Sequence, residues 1–219
     1  MSGGKRIAVM QPYFFPYAGY FRLFSQVDEF VLFDQVQFPR TGRVHRTEFE
    51  AGKWLTLPLV RQPLEVQICE LAFVDGARAE LDRRLTALPW LGAAKGEHAE
   101  RLRDYLHAPL PGVVDFLEQG LRLVNSLLGI DVPIVRSSQL AIAPGLRGQA
   151  RVLAVAAARG ASHYLNSPGG RALYQPEAFA AAGIELEFLP DYQGSHYHLL
   201  RDLARGEAGA IAAELRGAR

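Results

Sequence analysis

Between residues 133 and 189, short apolar runs alternate with helical segments, and the links between them are only a few residues long. Residues 133–136, 162–165 and 184–189 read as strands. Residues 149–159, ended by Gly160, read as a helix, and a second helical region opens at Pro168, is interrupted at Pro176 and closes at Gly183. Strand, helix, strand, helix, strand with short links implies parallel pairing through right-handed crossovers. Glu185 and Glu187 fall on one side of the last strand, the alternation of a strand at a sheet edge. The start of the chain has the same character. Residues 6–10 form an apolar strand, 19–27 a short helix, and 29–34 a buried strand that ends in the carboxylate of Asp34.

Between 35 and 74 the period changes. Residues 44–50 and 53–60 flank Ala51-Gly52, the pattern of a hairpin, and 66–74 offer a further strand. The next section is helical. Asp75 is placed to cap a helix over 77–88, and a second helix spans 97–106. A third starts at Pro111, a good first-turn residue, and stops at Gly129, with Val114, Leu117, Leu121, Val124, Leu127 and Leu128 on the helical period. The tail after Leu199 is helical in composition. The expectation is one α/β domain over 1–219. Its mostly parallel sheet has flanking helices in a Rossmann-like layout, with an inserted β-hairpin region at 35–75 and a helical segment at 76–128.

A chain of 219 residues buries roughly 70% of its unfolded surface and needs no staple to fold. The single cysteine, Cys69, agrees: no disulfide framework or cysteine metal cluster is available, and a reducing compartment is implied. Cys69 sits in a strand pattern and reads as a small core residue, with a nucleophile paired to a distant histidine as the alternative. With 24 basic and 23 acidic residues the net charge is +1, which argues against a nucleic-acid-binding face. No apolar run approaches the ~18 residues of a membrane span. The apolar stretch 7–10 is too short for a secretory signal, and no lipidation motif is visible, so a cytoplasmic protein is expected.

Ligands of open parallel sheets bind beyond the carboxyl ends of the strands. The first such end carries Gln11, then a loop bracketed by Pro12 and Pro16 that presents Tyr13, Tyr17 and Tyr20. The prolines pre-order this loop, which lowers the entropy lost on holding a ligand. It reads equally as an apolar lid that closes the sheet. Asp34, at the next strand end, is expected beside that loop in the largest pocket. It would act there as base or amine anchor, or instead cap a turn or pair with Arg40, Arg43 or Arg46. On a strand, Arg43 and His45 would share one face, with Val44 and Arg46 on the other. Arginine forks suit carboxylate or phosphate, and histidine moves protons near neutral pH. Ser137 and Ser138 follow the strand ending at Arg136. Asn166, Ser167, Pro168, Gly169 and Gly170 link a strand to a helix, where approachable backbone N–H groups favour an anion and Ser167 caps the helix. His196 and His198 lack the acidic or cysteine partners of a metal site.

The run Ile-Ala-Val-Met-Gln-Pro-Tyr-Phe-Phe-Pro-Tyr-Ala-Gly-Tyr-Phe at 7–21 resembles the opening of the WbqC-like protein family. The likeness continues at 27–37, at Val135-Arg136-Ser137-Ser138, at 164–170, at Tyr174 and at 183–190, so it spans nearly the whole chain. The resemblance implies a bacterial biosynthetic enzyme, one that transfers an acyl or aminoacyl group to a small amine such as an amino-sugar. The donor would be an activated thioester on a carrier protein or coenzyme A, with no tightly bound cofactor and no metal. Asp34 or His45 would take the amine proton. Gln11, or the amides near Gly169 and Gly170, would steady the oxyanion, and Tyr13, Tyr17, Arg43, Ser137, Asn166, Ser167 and Tyr174 would line the substrate site. The family pattern has an Arg-Asn pair in the hairpin after the aspartate, where this chain has Val44-His45-Arg46-Thr47. A second likeness, to adenylate-forming nucleotidylyltransferases, lacks their histidines, because 11–20 contain none. Nucleotide or nucleotide-sugar chemistry, with phosphate at 166–170, and a non-catalytic pathway partner are the alternatives.

Overall fold

Runs such as Ile7-Ala8-Val9 and Phe30-Val31-Leu32 have no polar face, so a strand built from them must be covered on both sides. The computed structural model, which describes residues 4–217, shows that arrangement. Its strands are β1 (Arg6–Met10), β2 (Glu29–Leu32), β3 (Arg46–Glu50), β4 (Lys53–Thr56), β5 (Ile134–Arg136), β6 (His163–Asn166) and β7 (Glu185–Phe188). Its helices are α1 (Phe21–Phe24), α2 (Ala77–Leu85), α3 (Pro89–Ala93), α4 (Glu97–His107) and α5 (Val113–Leu128). They continue with α6 (Gly148–Ala158), α7 (Pro176–Ala181), α8 (Leu199–Ala204) and α9 (Ala208–Gly217). The chain divides into two compact units.

The first unit comprises Met1–Gln11, Gly19–Asp34 and Val132–Gln193. It holds a five-stranded, all-parallel sheet in the order β5-β2-β1-β6-β7. Numbered within the sheet alone this is 3-2-1-4-5, the order of doubly wound nucleotide-binding sheets. On one face Ile7, Val9, Val31 and Tyr164 pack with Val152, Val155 and Ala156 of α6 and Phe179 of α7. On the other face Phe24 of α1 stacks on Phe30, ring centroids 3.7 Å apart. A half-buried ion pair also lies in this unit. Arg159 donates two hydrogen bonds to Glu29 at 2.6 and 2.7 Å, and Lys5 approaches the same carboxylate at 3.2 Å. The Arg159 hydrogen bonds hold the Glu29 carboxyl below its ordinary range despite burial.

The second unit comprises Pro12–Ala18, Gln35–Asp131 and Gly194–Arg219. The β3–β4 hairpin is antiparallel, with its turn at Ala51-Gly52 and Gly52 at φ 74°. Phe15 and Thr47 tie the proline-bracketed loop to β3, since Thr47 Oγ1 donates to the Phe15 carbonyl at 2.7 Å. The helix α5 ends as its sequence predicts. Gly129 is left-handed, and Ile130 N–H returns to the Asn125 carbonyl.

Several expectations need correction. No strand covers 66–74. Ile68–Glu70 form a 3-10 turn, because the Glu70 carboxylate accepts the Gln67 N–H at 2.8 Å and a capping box closes the chain there. Ile68 takes the buried position and Cys69 is exposed, so Cys69 is not a core residue. Asp75 does not cap α2. The residue before the helix is Gly76, left-handed, and no side-chain cap bond forms. Pro111 lies before α5 rather than in its first turn, which begins at Val113. Pro176 opens α7 at its first position. Among the described residues no helix is long and apolar enough to cross a membrane.

Helices α4 and α5 meet where Gly120 faces Tyr105, whose hydroxyl donates to the Phe116 carbonyl at 2.8 Å. A Cβ at 120 would stand 2.6 Å from that buried hydroxyl. Gly120→Ala is therefore expected to destabilise the protein by about 1–3 kcal/mol through overpacking, although alanine is the better helix former. A urea unfolding curve with an unchanged or raised midpoint would contradict this contact.

Candidate functional site

Chain direction gathers all five carboxyl strand ends at one edge of the first unit. Successive strands step outward from β1 through β2 to β5, then cross back to β6 and β7, so the order reverses between β1 and β6. Ligand crevices of open α/β sheets lie at such a reversal. Gln11 follows β1, and Tyr20 fixes its backbone by donating to the Gln11 carbonyl at 2.8 Å. Asn166 ends β6 and is 4% exposed. Its Oδ1 accepts the Ser167 N–H at 2.7 Å, which turns Nδ2 away as a donor. A Cβ on Gly170 would lie 2.5 Å from that Nδ2, so glycine is required where the amide sits. Gly169 has open space around it. Pro168 opens a helical segment, as expected, but it is a six-residue 3-10 turn, and the Ser167 side chain forms no capping bond. So short a turn aligns few peptide dipoles. Tyr174 stands edge-on to Tyr164 and Phe179.

Asp34 lies two residues past β2 and is 1% exposed. The pairing of Leu32 with Arg136 brings the turn after β5 level with it. Asp34 Oδ1 accepts Ser137 Oγ and Ser138 N, both at 2.9 Å, and Oδ2 accepts Ser138 Oγ at 2.5 Å. Serines, rather than the arginines at 40, 43 and 46, are its hydrogen-bond partners. The carboxylate locks together the ends of two adjacent strands.

His45 belongs to the second unit, in the wall of a pocket of about 380 Å³. Phe38, Leu57, Pro58 and Leu59 form an apolar lining, and Arg40, Arg61 and Arg84 bring positive charge. Glu80 is the acidic member, already engaged by Arg83 and Arg84, which bring its carboxyl down to about 2. His45 lies edge-to-face with Phe38 at 5.0 Å. Its Nδ1 is buried without a hydrogen-bond partner. Burial, and then the neighbouring Arg46 charge, push its pKa below the ordinary 6.5, so the ring is neutral near pH 7. The loop of residues 12–18 is not part of this pocket, and neither is Asp34. Phe14 and Phe15 are buried instead, against Phe116 and Tyr105 respectively, because the apolar half of the loop serves the helical core.

Arg43 and Arg46 do not take opposite faces. Both guanidiniums lie over Trp54, at 5.1 and 4.4 Å, because β3 begins only at Arg46 and the residues before it lack strand periodicity. Arg43 also pairs with Glu48 at 3.3 Å. Burial, reinforced by Tyr17, raises the Tyr13 phenol above its usual pKa against the pull of Arg43, so these three groups are neighbours. Tyr17 lies 4.6 Å from the His196 ring, and His198 Nδ1 is 3.2 Å from the Phe49 carbonyl. Among the described residues no group of three or more His, Cys, Asp or Glu is arranged to hold a metal ion.

The model of the WbqC-like protein family matches residues 11–202. The chain belongs to that family. Every WbqC-like residue named above as a site candidate, from Gln11 to Tyr174, lies within the matched span. An uncharacterized protein of Mycobacterium tuberculosis is 26% identical over 205 residues, covering 87% of this chain and 84% of the relative. No solved structure matches. Membership in the WbqC-like family suggests a biosynthetic role.

Sequence reasoning missed Leu57, Arg61, Glu80 and Arg84 as neighbours of His45. They come from the loop after β4 and from α2, and only tertiary closure brings them together. The Asp34 lock makes a definite prediction. Asp34→Ala would strand buried donors and is expected to lower stability by roughly 2–4 kcal/mol, against ~1 kcal/mol for Ser138→Ala. Gly170→Ala is expected to destabilise and Gly169→Ala to be near neutral. Denaturant midpoints measure all four; equal midpoints for the two glycine variants would contradict the placement of Asn166.

Proposed function

We propose that this protein is a biosynthetic transferase that moves an acyl or aminoacyl group from an activated thioester to a small amine such as an amino-sugar. The observation that carries this reading is the His45 imidazole in the wall of a pocket of about 380 Å³, its Nδ1 buried and unpartnered and its pKa pushed below the ordinary 6.5 by burial. Nδ1 is shut off from solvent, so a substrate would meet the ring at its other nitrogen, Nε2. In the reaction the amine nitrogen attacks the thioester carbonyl, the C–N bond forms and the C–S bond breaks. His45 takes the proton from nitrogen and returns one to the departing thiolate, so no net proton is consumed.

The strand order supports a second reading, a nucleotide or nucleotide-sugar enzyme with its ligand at the crevice between β1 and β6. Gln11 and Asn166 would contact it through side-chain amides. Dependence of turnover on added nucleoside triphosphate separates the two readings.

The test is transfer from acyl thioesters to a panel of amines. His45→Gln is expected to reduce kcat by about 10²–10⁴-fold. Because the neutral ring is the active form, activity is present above its folded-state pKa and lost as pH falls through it, below 6.5. The stability contribution has the same sign: present above the unfolded value near 6.5 and lost as pH falls through the depressed folded value. Both acid limbs should flatten in His45→Gln. A variant with wild-type rates and an unchanged acid limb removes His45 from the chemistry.

A further inference from the structure

Charge in the wall of the His45 pocket is unbalanced. Arg40, Arg61 and Arg84 line it with a single carboxylate, Glu80, and His45 itself is neutral near pH 7. Glu80 cancels none of the charge on Arg40 or Arg61, because it is occupied by Arg84 and by Arg83 from outside the lining. Arg84 also donates to the Thr56 carbonyl, and Arg40 donates to the Gln62 carbonyl. Carbonyls hold these two guanidiniums in place without neutralising them. Arg61 is exposed, and among the described residues it makes no hydrogen bond and no ion pair. Arg46 adds a further positive charge, close enough to His45 to lower its proton affinity. Like charges gathered around a concavity repel one another, and a bound anion relieves that repulsion.

We infer that the His45 pocket takes a substrate bearing an oxyanion, a carboxylate or a phosphate, and that Arg61 is the residue that recognises it. The inference rests on the transferase reading for the chemistry that follows binding, and it narrows that reading. The amine presented to His45 carries an acidic group of its own, so the acceptor is an anionic amino-sugar rather than a neutral one. A guanidinium offers its N–H groups as a fork that matches two oxygens of either anion, and the fork of Arg61 is not engaged elsewhere. The cavity of about 380 Å³ falls within the ~300–1,000 Å³ of small-molecule sites. An anion also improves the base. The surplus positive charge opposes the imidazolium that forms when His45 takes a proton, and a negative charge bound in the same pocket offsets part of that field. Proton transfer to the ring is therefore easier with the substrate in place than without it, and a neutral substrate gives no such gain. By linkage, a ligand that favours the protonated ring binds more tightly as pH falls toward the folded-state pKa of His45.

Isothermal titration of the full chain with three matched amines tests this: glucosamine, glucosamine 6-phosphate, and glucosaminuronic acid, which has a carboxylate in place of the phosphate-bearing carbon. At least one anionic probe is expected to bind more tightly than glucosamine by about tenfold or more. The tighter of the two identifies the oxyanion. Arg61→Ala is expected to remove about that factor and Arg61→Glu more, with thermal melts unchanged because the side chain is exposed and unpaired. Saturation with the tighter anionic probe is expected to raise the His45 titration midpoint measured by NMR, and the same shift should be lost in Arg61→Glu. The inference is overturned if neither anionic probe binds more tightly than glucosamine, or if Arg61→Glu binds both as well as the wild type does. A bound anion that leaves the His45 midpoint unmoved places it outside this pocket and overturns the inference equally. Arg61-dependent binding without transfer from any acyl thioester supports the site and defeats the transferase reading. Transfer to glucosamine as efficient as transfer to its anionic forms defeats the inference and leaves the transferase reading standing.

Discussion

A parallel sheet cannot turn back on itself with short hairpins, so each strand must be followed by a crossover and all strands must end at the same edge. That constraint organises the first unit. It brings Gln11, Asp34, Ser137 and Asn166 to a single rim from places far apart in the sequence. It also buries β1 and β2 on both faces, which accounts for the polarity-free runs that spell them. The rim then needs its own hydrogen bonding. Asp34 supplies it between β2 and β5, and Asn166 supplies it at the end of β6.

The second unit is governed by desolvation. Phe38 and the apolar wall around His45 exclude water from one side of the ring. Arg46 nearby adds charge repulsion, and both effects favour the neutral imidazole. The nearby arginines then act as a field rather than as partners: two lie over Trp54, and others stand in the pocket wall. A neutral imidazole beside these charges keeps a lone pair free to accept a proton, and the surrounding positive charge opposes the imidazolium that would form.

Much of the fold was legible because hydrophobic period and punctuation agreed. The strand at Arg6–Met10, the hairpin turn at Ala51-Gly52 and the stop at Gly129 each follow from local chemistry that tertiary packing reinforces. Segment 66–74 was not legible from its apolar spacing, because a side-chain interaction between Gln67 and Glu70 closes a turn that periodicity alone does not register. The candidate site divides the same way. The strand-end rule located Asn166 and placed Asp34 at a strand end, and composition marked His45 among arginines. The serine partners of Asp34 lie more than 100 residues away in sequence and become visible only through the β2–β5 pairing. The buried face of the loop at 12–18 was likewise hidden, since an exposed lid and a core plug are spelled with the same aromatics.

The proposed chemistry depends on the protonation state of one ring. Labelling the histidine side chains, assigning His45 by comparison with His45→Gln, and following its imidazole carbon shifts by NMR across the acidic and neutral range measures that state directly. A His45 titration midpoint below the ordinary 6.5 is expected, with the ring neutral at pH 7. A midpoint at or above 6.5 would mean that the ring is solvated or paired with an acid, and it would contradict His45 as a desolvated neutral base.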